Sequence, residues 1–210
     1  MKTETDNFIL HYYDENTKEK DKIIKILEDN YHRIINFLGI KLTEKTIIHV
    51  YKTLKDFHRA IGRPNAEDWV VGNATGGVIR MVSPCNPGPA HDYDSIMAVA
   101  IHEFVHIVAE KLNLHTSHNY PYLSEGIATY LAGQKVTLDK SIQIPSAQTI
   151  ALSQDDDDYG LVYDISYVFM QFIAANFGND GIIALYKNPE EFVKTHPQLN
   201  DMWAAYTKLQ

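Results

Sequence analysis

Cysteine is nearly absent from this 210-residue chain: Cys85 stands alone. An intramolecular disulfide framework is therefore excluded, and cysteine count neither requires nor forbids export. With no histidine beside it in sequence to activate a thiolate, Cys85 has nothing to recommend it as a nucleophile. Basic clusters are also missing. The formal charge is −8, which argues against nucleic acid as a partner and against an anionic membrane surface. No run of about 18 apolar residues offers a membrane span. The first residues, Met1-Lys-Thr-Glu-Thr-Asp-Asn, hold no apolar signal core, so the expectation is a soluble, cytoplasmic protein with no membrane partner. There is no internal repeat, and no long stretch has a disordered composition. What is present is apolar material: 45% of residues, enough for one domain with a large core.

The most informative stretch is His102-Glu103-Phe104-Val105-His106. Residues 96–112 contain no Gly or Pro, and Asp92, Asp94 and Ser95 are N-cap candidates, so the stretch reads as helix. Ile96, Met97, Val99, Ala100, Ile101, Phe104, Val105, Ile107 and Val108 leave it almost no polar face, which predicts a buried helix. Burying two imidazoles and a carboxylate there is costly unless they are paired or hold a cation. At i and i+4 the histidines share one face, Cβ atoms about 5–6 Å apart, so two ring nitrogens can converge on one metal. Glu103 is turned roughly 100° away, displaced from ligation but placed to take a proton from a water.

A third ligand is expected at Glu125, with eighteen residues between it and His106. Pro121 starts a helix there and Gly133 ends it. Residues 114–120 are polar and turn-like, so the chain can reverse and return Glu125 toward the histidines. Two His and one Glu with an open fourth position describe a catalytic rather than a structural zinc site. A metzincin pattern fails, because Ala109 and Leu112 stand where Gly and His are needed. His115 and His118 read as solvated.

His-Glu-Phe-Val-His, eighteen residues and a Glu within Ser124-Glu125-Gly126-Ile127-Ala128-Thr129-Tyr130 resemble the gluzincins. They are similar to the peptidase MA-like proteins and to the catalytic domain of the zinc aminopeptidases. The resemblance implies an α+β, zincin-like fold: a small twisted sheet with the active-site helix (about residues 1–113) and a C-terminal helical lobe (about 114–210). It implies one Zn2+ held by His102, His106 and Glu125, Glu103 as general base, and a peptide or protein substrate. In the zinc aminopeptidases a tyrosine opening a Tyr-x-x-small-x motif points at the substrate carbonyl. Tyr163-Asp164-Ile165-Ser166-Tyr167 is similar, which selects Tyr163 first, then Tyr167 and Tyr159. Those enzymes also carry Gly-x-Met-Glu-Asn, whose Glu anchors a free amine. This chain lacks it, and residues 72–84 contain no acid. The expectation is thus a metallopeptidase, endopeptidase rather than aminopeptidase. The alternative is a non-catalytic zinc-containing domain of protease ancestry that binds peptide or acts as a scaffold, against which an intact Glu103 speaks.

Around this centre, periodicity predicts strands at residues 8–13, 46–51, 69–72 and 77–82, with a turn at Asn73-Ala74-Thr75-Gly76. The strand before the zinc helix is expected at a sheet edge to which an extended substrate can add, with Gly76 and Gly77 allowing close approach of that second backbone. Helices are predicted at residues 18–38, 54–61 and 160–177, with shorter ones at 180–186, 189–195 and 199–209; residues 134–151 read as mixed. The four aspartates 155–158 read as a solvated loop that could also draw a cation.

Overall fold

The computed structural model describes residues 1–13, 18–136, 138, 142–155 and 159–208. It is a mixed helical and sheet protein, compatible with α+β, and divides into two compact units, Met1–Val108 and Ala109–Gln210.

The first unit holds the sheet. Its strands are β1 (Lys2–Glu4), β2 (Phe8–Tyr12), β3 (Thr46–Tyr51), β4 (Gly72–Thr75) and β5 (Val78–Val82), in the order β1-β2-β3-β5-β4. The pairs β2–β3 and β3–β5 are parallel, while β1 and β4 are antiparallel edges. Alternation decides the faces. Phe8, Leu10, Tyr12, Ile48, Val50, Ile79 and Met81 are buried; Ile9, His11, Ile47, His49, Val78 and Arg80 are half-exposed. Helix α1 (Lys18–Leu38) is the crossover between β2 and β3, and α2 (Leu54–Ala60) follows β3. The buried face meets α1 and α3 (Tyr93–Leu112) through three rings. Phe8 lies 5.8 Å from Tyr31 and 5.1 Å from Phe104, and Tyr31 lies 5.6 Å from Phe104.

Two sequence expectations shift here. Strand β4 is Gly72–Thr75, not residues 69–72, and the turn is Gly76-Gly77. Both turn glycines have positive φ, 61° and 77°, the conformation a two-residue hairpin turn requires at its centre. That turn fixes the register Gly72↔Met81 to Thr75↔Val78 and draws Asn73, Ala74 and Thr75 into the strand.

The second unit is helical: α4 (Leu114–Asn119), α5 (Pro121–Ala132), α6 (Ala147–Leu152), α7 (Tyr159–Lys187), α8 (Pro189–Thr195) and α9 (Leu199–Thr207). Residues 114–120, expected as a turn, instead contain α4, because the Asn113 side chain accepts from Thr116 N and caps it. A helix at Ala147–Leu152, capped by Ser146, also stands where no distinct element was expected. Helix α5 starts at Pro121 and stops at Gly133 in the left-handed region, φ 70°, as the sequence implies. Helix α7 breaks at Gly178 (φ 68°, ψ −172°) and resumes. Its Leu161–Lys187 part is long and apolar enough to cross a membrane by length and composition. Ile165, Phe169, Phe172 and Ile173 are buried as expected. Close packing of α5 on α7 is set at Gly126, where a Cβ would lie 3.0 Å from Ser166 O and from Met170 Cγ. Trp203 closes this core, 5.4 Å from Phe169, with its indole N–H donated to Pro145 O at 2.9 Å.

Candidate metal centre

Helix α3 is anchored at its start by a reciprocal cap. Ser95 N donates to Asp92 Oδ1 at 2.8 Å, and Asp92 N donates to Ser95 Oγ at 3.0 Å. This satisfies two donors that would otherwise be orphaned at the helix end and fixes where its turns fall. The expected apolar faces are buried: Ile96, Ala100, Phe104, Val105 and Val108 are wholly inaccessible. Burial extends to the polar residues. His102 is 6% exposed and Glu103 7%, with His106 half-buried.

The histidines do what i, i+4 spacing predicts. Their rings lie 4.7 Å apart at an interplanar angle of 74°, and Nε2 of one is 3.0 Å from Nε2 of the other. Two Nε2 atoms at that distance either share one proton or both turn lone pairs toward a common cation. Ligand atoms at 2.0–2.1 Å from a tetrahedral ion sit about 3.3–3.4 Å apart, and the histidine nitrogens are a few tenths of an ångström closer than that.

Glu125 occupies the first turns of α5, half-buried. His102 and His106 belong to the first unit and Glu125 to the second, and each offers a ligand atom of a type that zinc accepts. Within the second unit Glu125 acts electrostatically on Tyr186. This phenol is fully buried, with its oxygen 2.7 Å from Ser117 Oγ. Burial pushes its pKa well up, hydrogen bonds from Ser117 and Ser124 oppose the rise, and the charges of Glu125 and Glu110 add to it. The sequence reading missed Tyr186. Its only signal was position, late in α7 past the Gly178 break.

The tyrosine candidates separate by environment. Tyr163 is half-buried in the early part of α7. Tyr167, one turn on, is buried, and its oxygen accepts the Gln171 amide at 3.2 Å. Burial, with Tyr130 6.5 Å away ring to ring, pushes its pKa up. The Tyr159 side chain and Asp156, Asp157 and Asp158 lie outside the described residues; Asp155 is exposed. His115 and His118 are exposed, and His118 contacts Glu110 at 3.2 Å.

Gly76 and Gly77, expected to admit a substrate backbone, lie in the turn between β4 and β5. A Cβ on either would meet nothing within 4 Å among the described residues; these glycines serve the turn. A close approach within the protein is at Gly72, where an added Cβ would overlap Glu103 Oε1 and lie 2.6 Å from Val99 Cγ1. Comparison with protein-family models and with curated proteins returns no match.

Proposed function

We propose that the chain is a zinc-dependent peptidase of gluzincin type, with a zincin-like fold and a peptide or protein substrate. The reading is carried by one observation: two Nε2 atoms 3.0 Å apart on a buried helix. The donor set suits Zn2+, since two imidazoles and a carboxylate leave a coordination position open. His102, His106 and Glu125 would hold the ion. When bound, it would supply Lewis acidity toward a peptide carbonyl and lower the pKa of a water.

The remaining chemistry belongs to side chains of this protein. Glu103 follows His102 on α3 and is turned off the ligand face. It takes a proton from the attacking water and delivers it to the leaving nitrogen as the C–N bond breaks. Its 7% exposure keeps bulk water from competing for that proton. Tyr163 donates its phenol proton as a hydrogen bond to the oxygen that gains charge at the carbonyl. Strand β4, an edge of the sheet, offers its outer main-chain edge to an extended substrate. No acid occupies residues 72–84 to fix a free amine, which supports internal cleavage.

Elemental analysis and a paired digest test this. The purified protein should carry one zinc per chain and cut acetylated peptides internally at least as well as their free-amine forms. Zinc without any cleavage would make it a peptide-binding domain. Removal of single N-terminal residues, abolished by acetylation, would make it an aminopeptidase with a different anchor.

A further inference from the structure

Strand β4 passes α3 at a residue whose missing side chain has a consequence. Gly72 is not among the glycines with positive φ, so its backbone conformation alone would admit a side chain. Space excludes one. A Cβ at Gly72 would overlap Glu103 Oε1, approach Glu103 Cδ to 3.0 Å and Val99 Cγ1 to 2.6 Å. All three residues belong to the first unit, with Val99 and Glu103 one turn apart on α3.

The two obstacles differ in stiffness. Val99 is β-branched on a helix and is held to essentially one χ1 rotamer. Glu103 presents the far end of a flexible chain. A methyl group at position 72 would therefore be accommodated first by swinging the carboxylate aside, with residual strain left on Val99. Conversely, the bare Cα of Gly72 leaves the volume that the carboxylate fills. The geometry points to Gly72 as a positioning residue for Glu103: β4 lacks a side chain there so that the carboxylate keeps its place against the strand, on the residue that follows His102 along α3. The catalytic consequence rests on the peptidase reading; the packing relation does not.

Two measurements on the full chain test it. The first is thermal unfolding of wild type, Gly72→Ala, Glu103→Ala and the double variant. Gly72→Ala should lower the melting temperature by several degrees, and by less than half as much once Glu103→Ala has removed the obstructing carboxylate. Equal losses in both backgrounds would overturn the assignment. The second uses peptide cleavage and zinc content. Gly72→Ala should keep its zinc and its KM while kcat falls by about 10²-fold, the scale of a displacement of about 1 Å in a reacting group. Adding Val99→Ala should recover the smaller part of the melting-temperature loss that Glu103→Ala leaves, but not kcat, because the carboxylate stays displaced. Recovery of both together would make Gly72 a packing residue only and overturn the positioning role. A wild type that cleaves nothing, with the thermal coupling intact, would overturn the peptidase reading and leave Gly72 as the residue that places Glu103.

Discussion

Among the described residues of the first unit two histidine pairs can be compared, and they differ in a way that matters for metal binding. His102 and His106 come from one helix, His11 and His49 from neighbouring parallel strands, where they stand directly opposite. Ring centroids are nearly the same distance apart, 4.7 Å on the helix and 4.8 Å on the sheet. The angles differ: 74° on α3 and 10° across the strands. Rings that stack face to face point their in-plane lone pairs in parallel, so no single point lies ahead of both. Rings that meet edge to face can bring two nitrogens together, and on α3 they do. The sheet pair is also otherwise engaged. Tyr13 Oη lies 2.9 Å from His49 Nδ1, and the Tyr13 ring stacks on His49 at 5.8 Å. Proximity of two histidines is thus a weak criterion, and orientation is the stronger one.

Substitutions sharpen that contrast. The largest effect is expected from His106→Ala, which should lower zinc affinity by orders of magnitude. Because metal binds the folded state, the melting temperature should fall as well; a ligand at a thousand times its Kd contributes about 4 kcal/mol. Elemental analysis and calorimetry check both, and equal zinc in wild type and variant would show that α3 is no more a metal site than the sheet pair. Next comes Glu103→Gln, which should retain zinc and lose about 10²–10⁴-fold in hydrolysis, the usual worth of a positioned proton carrier. Steady-state rates on metal-replete protein decide it, and near-full activity would remove Glu103 from the mechanism. Tyr163→Phe should lower kcat more than it changes KM, by up to about 10²-fold if the phenol is the oxyanion donor. An unaltered kcat would move that role to Tyr167 or to no tyrosine.

The smallest effects belong to the sheet pair, and they serve as the control. His11→Ala or His49→Ala should leave zinc content and cleavage unchanged. His49 has its pKa lowered below the ordinary 6.5, first by burial, then by the charges of His11 and Arg80. A depressed folded pKa means the neutral ring is favoured in the native state. Its contribution is therefore complete above about pH 6.5 and is lost as pH falls through the lower folded value. Unfolding measured across that acid range should show a small drop in wild type, which His49→Asn flattens. An NMR titration should find the His49 pKa closer to 6.5 in His11→Ala. A metal-dependent shift of His49 in the same spectra would break the comparison.

Some of the site was legible because it is local. The bounds of α1, the burial of α3, the spacing of His102 and His106, and the Pro121 start and Gly133 stop of α5 all follow from contacts within a few residues. The exposed state of His115 and His118 was legible too, although their segment proved to be a helix capped by Asn113 rather than a turn. For the β4–β5 hairpin, the apolar run Trp69-Val70-Val71 points to a strand at residues 69–72, three residues before the strand that forms. The deciding element was the Gly-Gly turn, which sets strand pairing by its positive φ angles, and one residue of slip reverses every face.

By itself, then, the sequence determined the helix that carries the histidines, their shared face, and the residue types that a metal and a proton transfer require. These depend on a 3.6-residue period and on end caps, both properties of neighbouring residues. Only the tertiary structure decided which glycine matters beside Glu103. Gly72 and Gly76 look alike in the chain, but strand pairing sets one against the α3 carboxylate and leaves the other in a turn. The difference between the two histidine pairs has the same origin. His102 and His106 share one helix by local spacing, whereas His11 and His49 meet only because two distant strands pair in that register.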